Sequence, residues 1–326
     1  MRNICIVGYG SVAPLHAKAL SDIEDVRLWG VCDIDPNRNE KYLSEYGGRA
    51  FTDYDEMLSC GEVDGVHICT PHYLHYEMAR KALLKNKTVV IEKPVTMKSD
   101  EFEELISRFP EGKVCVMFQN RTNGSVCAMK KIIANEDLGS FITARSLLTW
   151  HRTAEYYAHD SWRGKKKTEG GGVLINQALH SLDLISYLTG GISSVKATMS
   201  NKSLNGVIDV EDTVDGLIKF KNGGQGVFYA TNAYGSNSSM FVELVFEKDT
   251  LRYIDGRLYR KGEAVAEDCS SASGKSYWGC GHESVLREFY GGGEGITLKS
   301  AANSMRAAFA MYESAENNGK EILIKE

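Results

Sequence analysis

No apolar stretch of this 326-residue chain approaches the ~18 residues of a membrane-spanning helix. The first residues enter a strand-like run at once, without the h-region of a secretory signal. A membrane partner is therefore not expected, and a cytoplasmic location is. No C-x-x-C pair occurs among the eight cysteines, and Cys5, Cys32, Cys69 and Cys115 sit inside apolar runs. They read as small buried hydrophobes of a reducing compartment. No segment interleaves basic residues with aromatics, and 38 Lys+Arg against 43 Asp+Glu give a net charge of −5, so nucleic acid is not an expected partner. Lys165-Lys166-Lys167 is the single basic cluster and reads as solvated loop. No G-x-S-x-G elbow supports a serine hydrolase. No second His/Cys pair or carboxylate cluster completes a ligand set, so no metal is expected.

What is present is ordinary globular composition, 43% hydrophobic and 25% charged, at about twice the ~150-residue domain prior. Two domains follow. Up to residue 119, short β-rich runs (4–7, 26–32, 63–69, 89–91, 114–118) alternate with helical patterns (15–20, 38–46, 72–84, 101–109), which implies a parallel sheet wound on both faces. From 120 to 326 the pattern changes. A helix at 126–133 and a strand at 141–150 lead to a helix over 172–189, then to closely spaced strands at 213–220, 226–230, 241–246 and 251–254. Helical patterns return at 283–290 and 300–316, and the last of these is expected to pack back on the first domain. The fold class is thus α/β: an N-terminal Rossmann domain, then an α+β domain with a large, mostly antiparallel open sheet. Residues 270–274 form the most loop-like stretch.

Gly8-Tyr9-Gly10-Ser11-Val12-Ala13 directly follows the first strand and opens a helix. Such glycines permit a tight turn and close approach of backbone to a pyrophosphate on the helix N-terminus. Asp33 ends the second strand pattern, where a carboxylate accepts from the adenosine ribose and repels a 2′-phosphate. NAD is favoured over NADP, although nearby Arg38 works against that preference.

Two further motifs fall at strand ends. Thr70-Pro71 reads as N-cap and first helical residue, with His72 and His75 in the first turn. His75 divides between a cofactor contact and a surface or capping role. Glu92-Lys93-Pro94 ends an apolar strand with a charged pair, and Lys93 is the leading acid/base candidate, since removing a hydride from a carbinol needs a base for the hydroxyl proton. Gly170-Gly171-Gly172 then runs into Asn176, His180 and Asp183, whose spacing puts them on one helical face. Leu184 and Leu188 lie close to His180 on that helix, which disfavours open solvent there. The glycines suggest close approach by another backbone or a ligand.

In this order the motifs resemble the Gfo/Idh/MocA oxidoreductases, over nearly the whole chain. The resemblance rests on Gly8 to Ala13 with His16 following, Asp33, Thr70-Pro71 with His75, Glu92-Lys93-Pro94, and the glycines leading to Asn176, His180 and Asp183. It implies an NAD(P)-dependent dehydrogenase or reductase acting on a sugar, sugar derivative or cyclitol, assembled as a homodimer or homotetramer. Lys93 and His180 would share proton transfer. Asn176 departs from the Asp of inositol-dehydrogenase-like members and is left as a substrate-orienting group. Gly8, Gly10, Ser11, Val12, Asp33, Arg38, Thr70, Pro71, His75, Glu92, Lys93 and Asn120 are the expected cofactor contacts. The expected substrate contacts are Asn176, Asp183, Trp162, Arg163, Tyr156 and His151, with His282 a weaker candidate. A redox-neutral NAD-dependent glycosidase of the same fold and a non-enzymatic NAD or sugar sensor remain alternatives.

Overall fold

The computed structural model describes residues 1–109, 112–269 and 279–325, so the loop-like 270–274 lies outside the described residues. The chain forms two compact units. One comprises Met1–Gln119 with Gly281–Ser300, the other Asn120–Cys280 with Ala301–Glu326.

The first unit alternates β1 (Arg2–Val7), α1 (Ala13–Ser21), β2 (Val26–Cys32), α2 (Pro36–Tyr46), β3 (Arg49–Phe51), α3 (Tyr54–Ser59), β4 (Gly65–Ile68), α4 (His72–Leu84), β5 (Thr88–Ile91), α5 (Ser99–Arg108) and β6 (Val114–Val116). All strand pairs are parallel, in the order β3-β2-β1-β4-β5-β6. Ile4, Cys5, Ile6, Val66, Ile68, Val89 and Ile91 are fully buried, as a sheet covered on both faces requires. Because β1 lies between β2 and β4, the chain leaves it in both directions, and the carboxyl ends of β1 and β4 flank the switch point where such sheets bind ligands. β3 and α3 are too short for periodicity to reveal. A helix at Gly281–Tyr290 returns to this unit and packs on α1, an excursion that the order of elements did not foretell.

The second unit contains α6 (Gly124–Asn135), β7 (Phe141–Thr149), α7 (Ala154–Ala158), α8 (Lys166–Glu169), α9 (Leu179–Thr189), β8 (Ile192–Ser200), β9 (Thr213–Phe220), β10 (Gln225–Thr231), β11 (Phe241–Phe246), β12 (Thr250–Ile254), β13 (Arg257–Arg260) and β14 (Glu263–Glu267). After the returning helix, now α10, come α11 (Leu298–Glu316) and β15 (Ile322–Leu323). The sheet order is β14-β13-β12-β11-β7-β10-β9-β8-β15, antiparallel except where β7 pairs with β10. β8 was not in the sequence reading, although Val195-Lys196-Ala197-Thr198-Met199 alternates apolar and polar residues, with Val195 and Ala197 buried and Lys196 and Thr198 exposed. From Ala301 onward α11 groups with this unit.

Cys5, Cys32, Cys69 and Cys115 are buried, whereas Cys269 and Cys280 form a disulfide. That pair corrects the reading of all eight as unpaired thiols.

Candidate active site

In the first unit, Gly8 has φ +80°, and a Cβ there would meet Thr70 Cγ2 at 2.8 Å and the Cys69 carbonyl at 3.1 Å. Only glycine lets the β1–α1 turn close on the end of β4. A Cβ on Gly10 would have nothing within 4 Å, so the turn stays open where a pyrophosphate would lie. Ser11 is exposed, and Val12 precedes α1 without a side-chain cap, leaving first-turn N–H groups for an anion. Asp33 is buried. Its Oδ2 accepts from Tyr9 N at 2.7 Å and its Oδ1 from Asp35 N at 2.9 Å. The exposed Arg38 sits 3.6 Å from Asp33.

α4 spans the expected 72–84, but Pro71 rather than Thr70 stands at its N-cap, so Thr70 does not cap it. Thr70 instead offers its carbonyl to His75 Nε2 at 2.8 Å, while His75 Nδ1 meets Pro94 O at 2.7 Å. Both ring nitrogens of this buried histidine are thus taken by backbone carbonyls. It ties the end of β4 to the loop after β5. Carbonyls only accept, so both bonds need the doubly protonated ring, whereas burial lowers the His75 pKa.

Glu92 is likewise committed internally. Its Oε1 lies 3.1 Å from His16 Nε2 and 3.4 Å from His282 Nε2, and its Oε2 accepts from Lys93 N at 3.2 Å. Burial pushes the Glu92 pKa up, but hydrogen bonds from the two imidazoles outweigh it, and the pKa falls well below the usual carboxylate range. Glu92 thus anchors the Lys93 loop. His16 Nδ1 lies 2.9 Å from His67 Nδ1, and His67 Nε2 lies 2.8 Å from Tyr290 OH. The potential ligand atoms of His16, Glu92 and His282 lie within 4.8 Å of one another, a grouping invisible to local spacing. Lys93 is partly buried at the carboxyl end of β5.

In the second unit, a Cβ on Gly171 would collide with Tyr312 and one on Gly172 with the Glu211 carbonyl. The close approach that the glycines announced is thus made by this chain itself. Glu211 receives N–H groups of Gly172 at 2.8 Å and Leu174 at 3.0 Å, and the Tyr312 hydroxyl at 2.8 Å. Asn176 lies before α9, in a turn where Gln177 N and Ala178 N both reach Val173 O, so the expected helix from 172 starts at Leu179. Every residue of α9 is buried except the half-buried His180 and Tyr187, which removes the solvated helix face. Asp183 is bidentate to Arg121, Oδ2–Nε 2.9 Å and Oδ1–Nη2 2.5 Å. Asn120 is buried in the 3₁₀ turn Gln119–Thr122, and its Oδ1 has no hydrogen-bond partner among the described residues.

The aromatic segment does assemble. Arg163 lies 4.6 Å from the Trp162 ring centroid, and its Nη1 donates to Tyr156 OH at 2.7 Å; Gln177 Nε2 donates to the same oxygen at 3.2 Å. His151 is exposed and held by Tyr234 O at 2.7 Å. Glu169, which sequence reasoning passed over, is buried and accepts from Asn176 Nδ2 and Gly164 N. Burial pushes its pKa up to about 7 against the opposing pull of those bonds and of Arg163. Its lone position at the end of a lysine run gave no periodic signal.

Residues 2–120 match the oxidoreductase family with an NAD-binding Rossmann fold, and residues 126–252 match the GFO/IDH/MocA C-terminal domain. The chain belongs to the GFO/IDH/MocA oxidoreductase family. It is 30% identical to glucose-6-phosphate 3-dehydrogenase of Bacillus subtilis over 58% of this chain and 54% of that protein. To levoglucosan dehydrogenase of Pseudarthrobacter phenanthrenivorans it is 27% identical, over 74% of this chain and 70% of that one. The aligned part thus spans about half the length of the first relative and over two thirds of the second. The structure of the WlbA dehydrogenase from Bordetella pertussis in complex with NADH and UDP-GlcNAcA superposes with a TM-score of 0.86 at 25% identity, covering 100% of this chain and 98% of that one. Among the described residues, no helix is long and apolar enough to cross a membrane.

Proposed function

We propose that this chain is an NAD-dependent dehydrogenase or reductase acting on a CH–OH group of a sugar, sugar derivative or cyclitol. The observation that carries the reading is Lys93 at the carboxyl end of β5, next to the strand end that closes on the phosphate-type turn at Gly8. Gly8, Gly10, Ser11, Val12, Asp33, Arg38, Thr70, Pro71, His75, Glu92, Lys93 and Asn120 would hold the dinucleotide. The open space over Gly10, the uncapped start of α1 and the orphaned Asn120 Oδ1 fit such a group. Bound NAD supplies the hydride acceptor. Lys93 takes the hydroxyl proton in oxidation and returns it in reduction, and His180 shares that transfer.

Two relatives are named for glucose 6-phosphate and levoglucosan, and a structural neighbour holds UDP-GlcNAcA, so a carbohydrate is the proposed substrate. Tyr156, Trp162 and Arg163 supply ring faces and donors, with Asn176 orienting a hydroxyl and His151 at the edge. The working form is a homo-oligomer in the cytoplasm. Supporting association is a row across the outer sheet face, Lys196–Leu217–Val227–Arg145, whose two central residues are exposed aliphatics.

The test is NADH formation from NAD, with NADP in parallel, across glucose 6-phosphate, levoglucosan, methyl glucoside, myo-inositol and a nucleotide-sugar uronate. Signal from one class, lost by about 10²- to 10⁴-fold in Lys93→Ala, supports the reading. Silence with NAD still bound overturns it in favour of a redox-neutral glycosidase or a sensor.

A further inference from the structure

Arg152 is half-buried, and among the described residues it forms no ion pair. Arg163, by contrast, is paired to Asp160 at 2.7 Å, and Glu155, the acid nearest to Arg152 in sequence, is bonded to Thr153. One nitrogen of the Arg152 guanidinium holds the side chain in place: Nη1 donates to His151 O at 2.8 Å and to Asn237 Oδ1 at 2.8 Å. Two rings hold it as well, with Cζ 4.6 Å from the centroid of Trp150 and 5.1 Å from that of Tyr156. What remains is the Nε–Nη2 edge, the side on which a guanidinium pairs with a carboxylate or phosphate through two parallel hydrogen bonds. Nε is buried without a hydrogen-bond partner among the described residues, and a buried N–H calls for an acceptor. The Tyr156 hydroxyl accepts from Arg163 Nη1 at 2.7 Å and from Gln177 Nε2 at 3.2 Å. Both its lone pairs are filled, so its proton is left for an acceptor. Asn232 Nδ2 keeps Gln177 in that orientation by donating to its Oε1 at 3.1 Å.

We propose that Arg152 forms, with the Tyr156 hydroxyl, a subsite for an anionic substituent of the sugar, a carboxylate or a phosphate ester. This rests on the dehydrogenase reading and deepens it by naming the substrate class: an acidic sugar rather than a neutral one. Two oxygens of such a group accept from Nε and Nη2 together, and a further lone pair accepts from Tyr156 O–H. A sugar hydroxyl offers one oxygen and no charge, so it neither spans the two N–H groups nor compensates the cation. Because Asp160 already neutralises Arg163, the charge that an incoming anion meets here is that of Arg152. The run Lys165-Lys166-Lys167 is a poorer anion site. All three lysines are exposed, Lys165 Nζ donates to Ser161 O at 2.7 Å, and Lys166 Nζ lies 3.2 Å from Glu316.

The first readout needs no turnover. Full-length protein with saturating NAD is titrated calorimetrically with glucuronate, glucose 6-phosphate and methyl glucoside. At least one of the two acids is expected to bind about 10- to 100-fold more tightly than the neutral sugar, the size of one charge-assisted hydrogen bond, and which of them does so distinguishes carboxylate from phosphate. The preference shrinks as salt is raised from about 0.05 to about 0.5 M, since salt screens the attraction. Arg152→Met abolishes it, Arg152→Lys, a point charge without the two-pronged edge, keeps only a minor part of it, and Tyr156→Phe lowers it about three- to tenfold. Circular dichroism checks that each variant is folded, and should Arg152→Met not fold, the other two variants decide. In NADH formation the same preference is expected in kcat/KM, chiefly through KM. Acids that bind no more tightly than methyl glucoside, or a preference untouched by the variants, overturn the subsite; NADH formation from methyl glucoside alongside that result leaves the dehydrogenase reading standing. An Arg152-dependent preference for an acid, with no NADH from any sugar, sinks the dehydrogenase reading and leaves the subsite in place.

Discussion

Nε2 of His16 lies 3.1 Å from Oε1 of Glu92, although 76 residues separate them. The ionised Glu92 accepts only, so His16 Nε2 carries the proton and its Nδ1 is a lone pair in the neutral ring. His67 Nδ1 must then donate to His16, and Tyr290 O–H to His67 Nε2. One buried file of donors points at the carboxylate that anchors the Lys93 loop.

That file makes the protein acid-labile. Burial lowers the pKa of His16 and His67 in the folded state, so the unfolded chain binds more protons below the ordinary histidine pKa of about 6.5. Stability is therefore fully present above that pKa and is lost as pH falls below it, at up to about 1.4 kcal/mol per pH unit for each histidine. Urea midpoints measured from pH 7.5 to 5.5 should fall, and His67→Phe should flatten the slope. A pH-independent midpoint in the wild type would rule the tautomer assignment out.

Asp183 should matter for folding more than for substrate. Asp183→Asn leaves the buried Arg121 guanidinium without its counter-charge, a change expected to cost about 3–5 kcal/mol in urea unfolding. Replacing both partners, as in Arg121→Met/Asp183→Leu, should recover most of that loss. A tenfold rise in KM with unchanged stability would restore Asp183 to the substrate site.

Coenzyme choice tests Asp33 against Arg38. Asp33→Ser keeps a short acceptor near Tyr9 N but removes the charge, while the guanidinium 3.6 Å away remains. NAD-dependent kcat/KM should drop about 10- to 100-fold and the NADP-dependent value should rise, read by steady-state kinetics with both coenzymes. An unchanged NAD:NADP ratio would show that neither side chain reads the ribose.

The cysteines can be counted. Six are free and two are paired, so thiol titration in guanidinium should find six before reduction and eight after it. The closed loop is short, with a sequence separation of 11, and reducing it should lower stability by about 3 kcal/mol. Eight thiols without reductant would return the reading to the one drawn from sequence.

The parallel sheet, the turn at Gly8, Asp33 and the strand-end lysine were legible because each depends on residues adjacent in sequence. A strand followed by a glycine turn and a helix is a local pattern, and so is a charged pair ending an apolar run. The internal partners of Glu92, His75 and Asp183 were not legible, for a different reason. Each is a polar group in a motif, but its partner lies elsewhere in the chain: His16 and His282 for Glu92, Pro94 for His75, Arg121 for Asp183.

By itself, then, the sequence determined the order of elements, the winding of the first sheet and the location of the phosphate-type turn, since short-range propensity and periodicity encode these. Only the tertiary structure decided which buried polar groups are left to meet a ligand and which are already satisfied by the chain. A buried charge or imidazole must find a partner, and the distance along the sequence sets no limit on where that partner comes from. Glu169 shows the consequence most plainly: an unremarkable residue beside three lysines became the carboxylate behind Asn176 once the chain had folded around it.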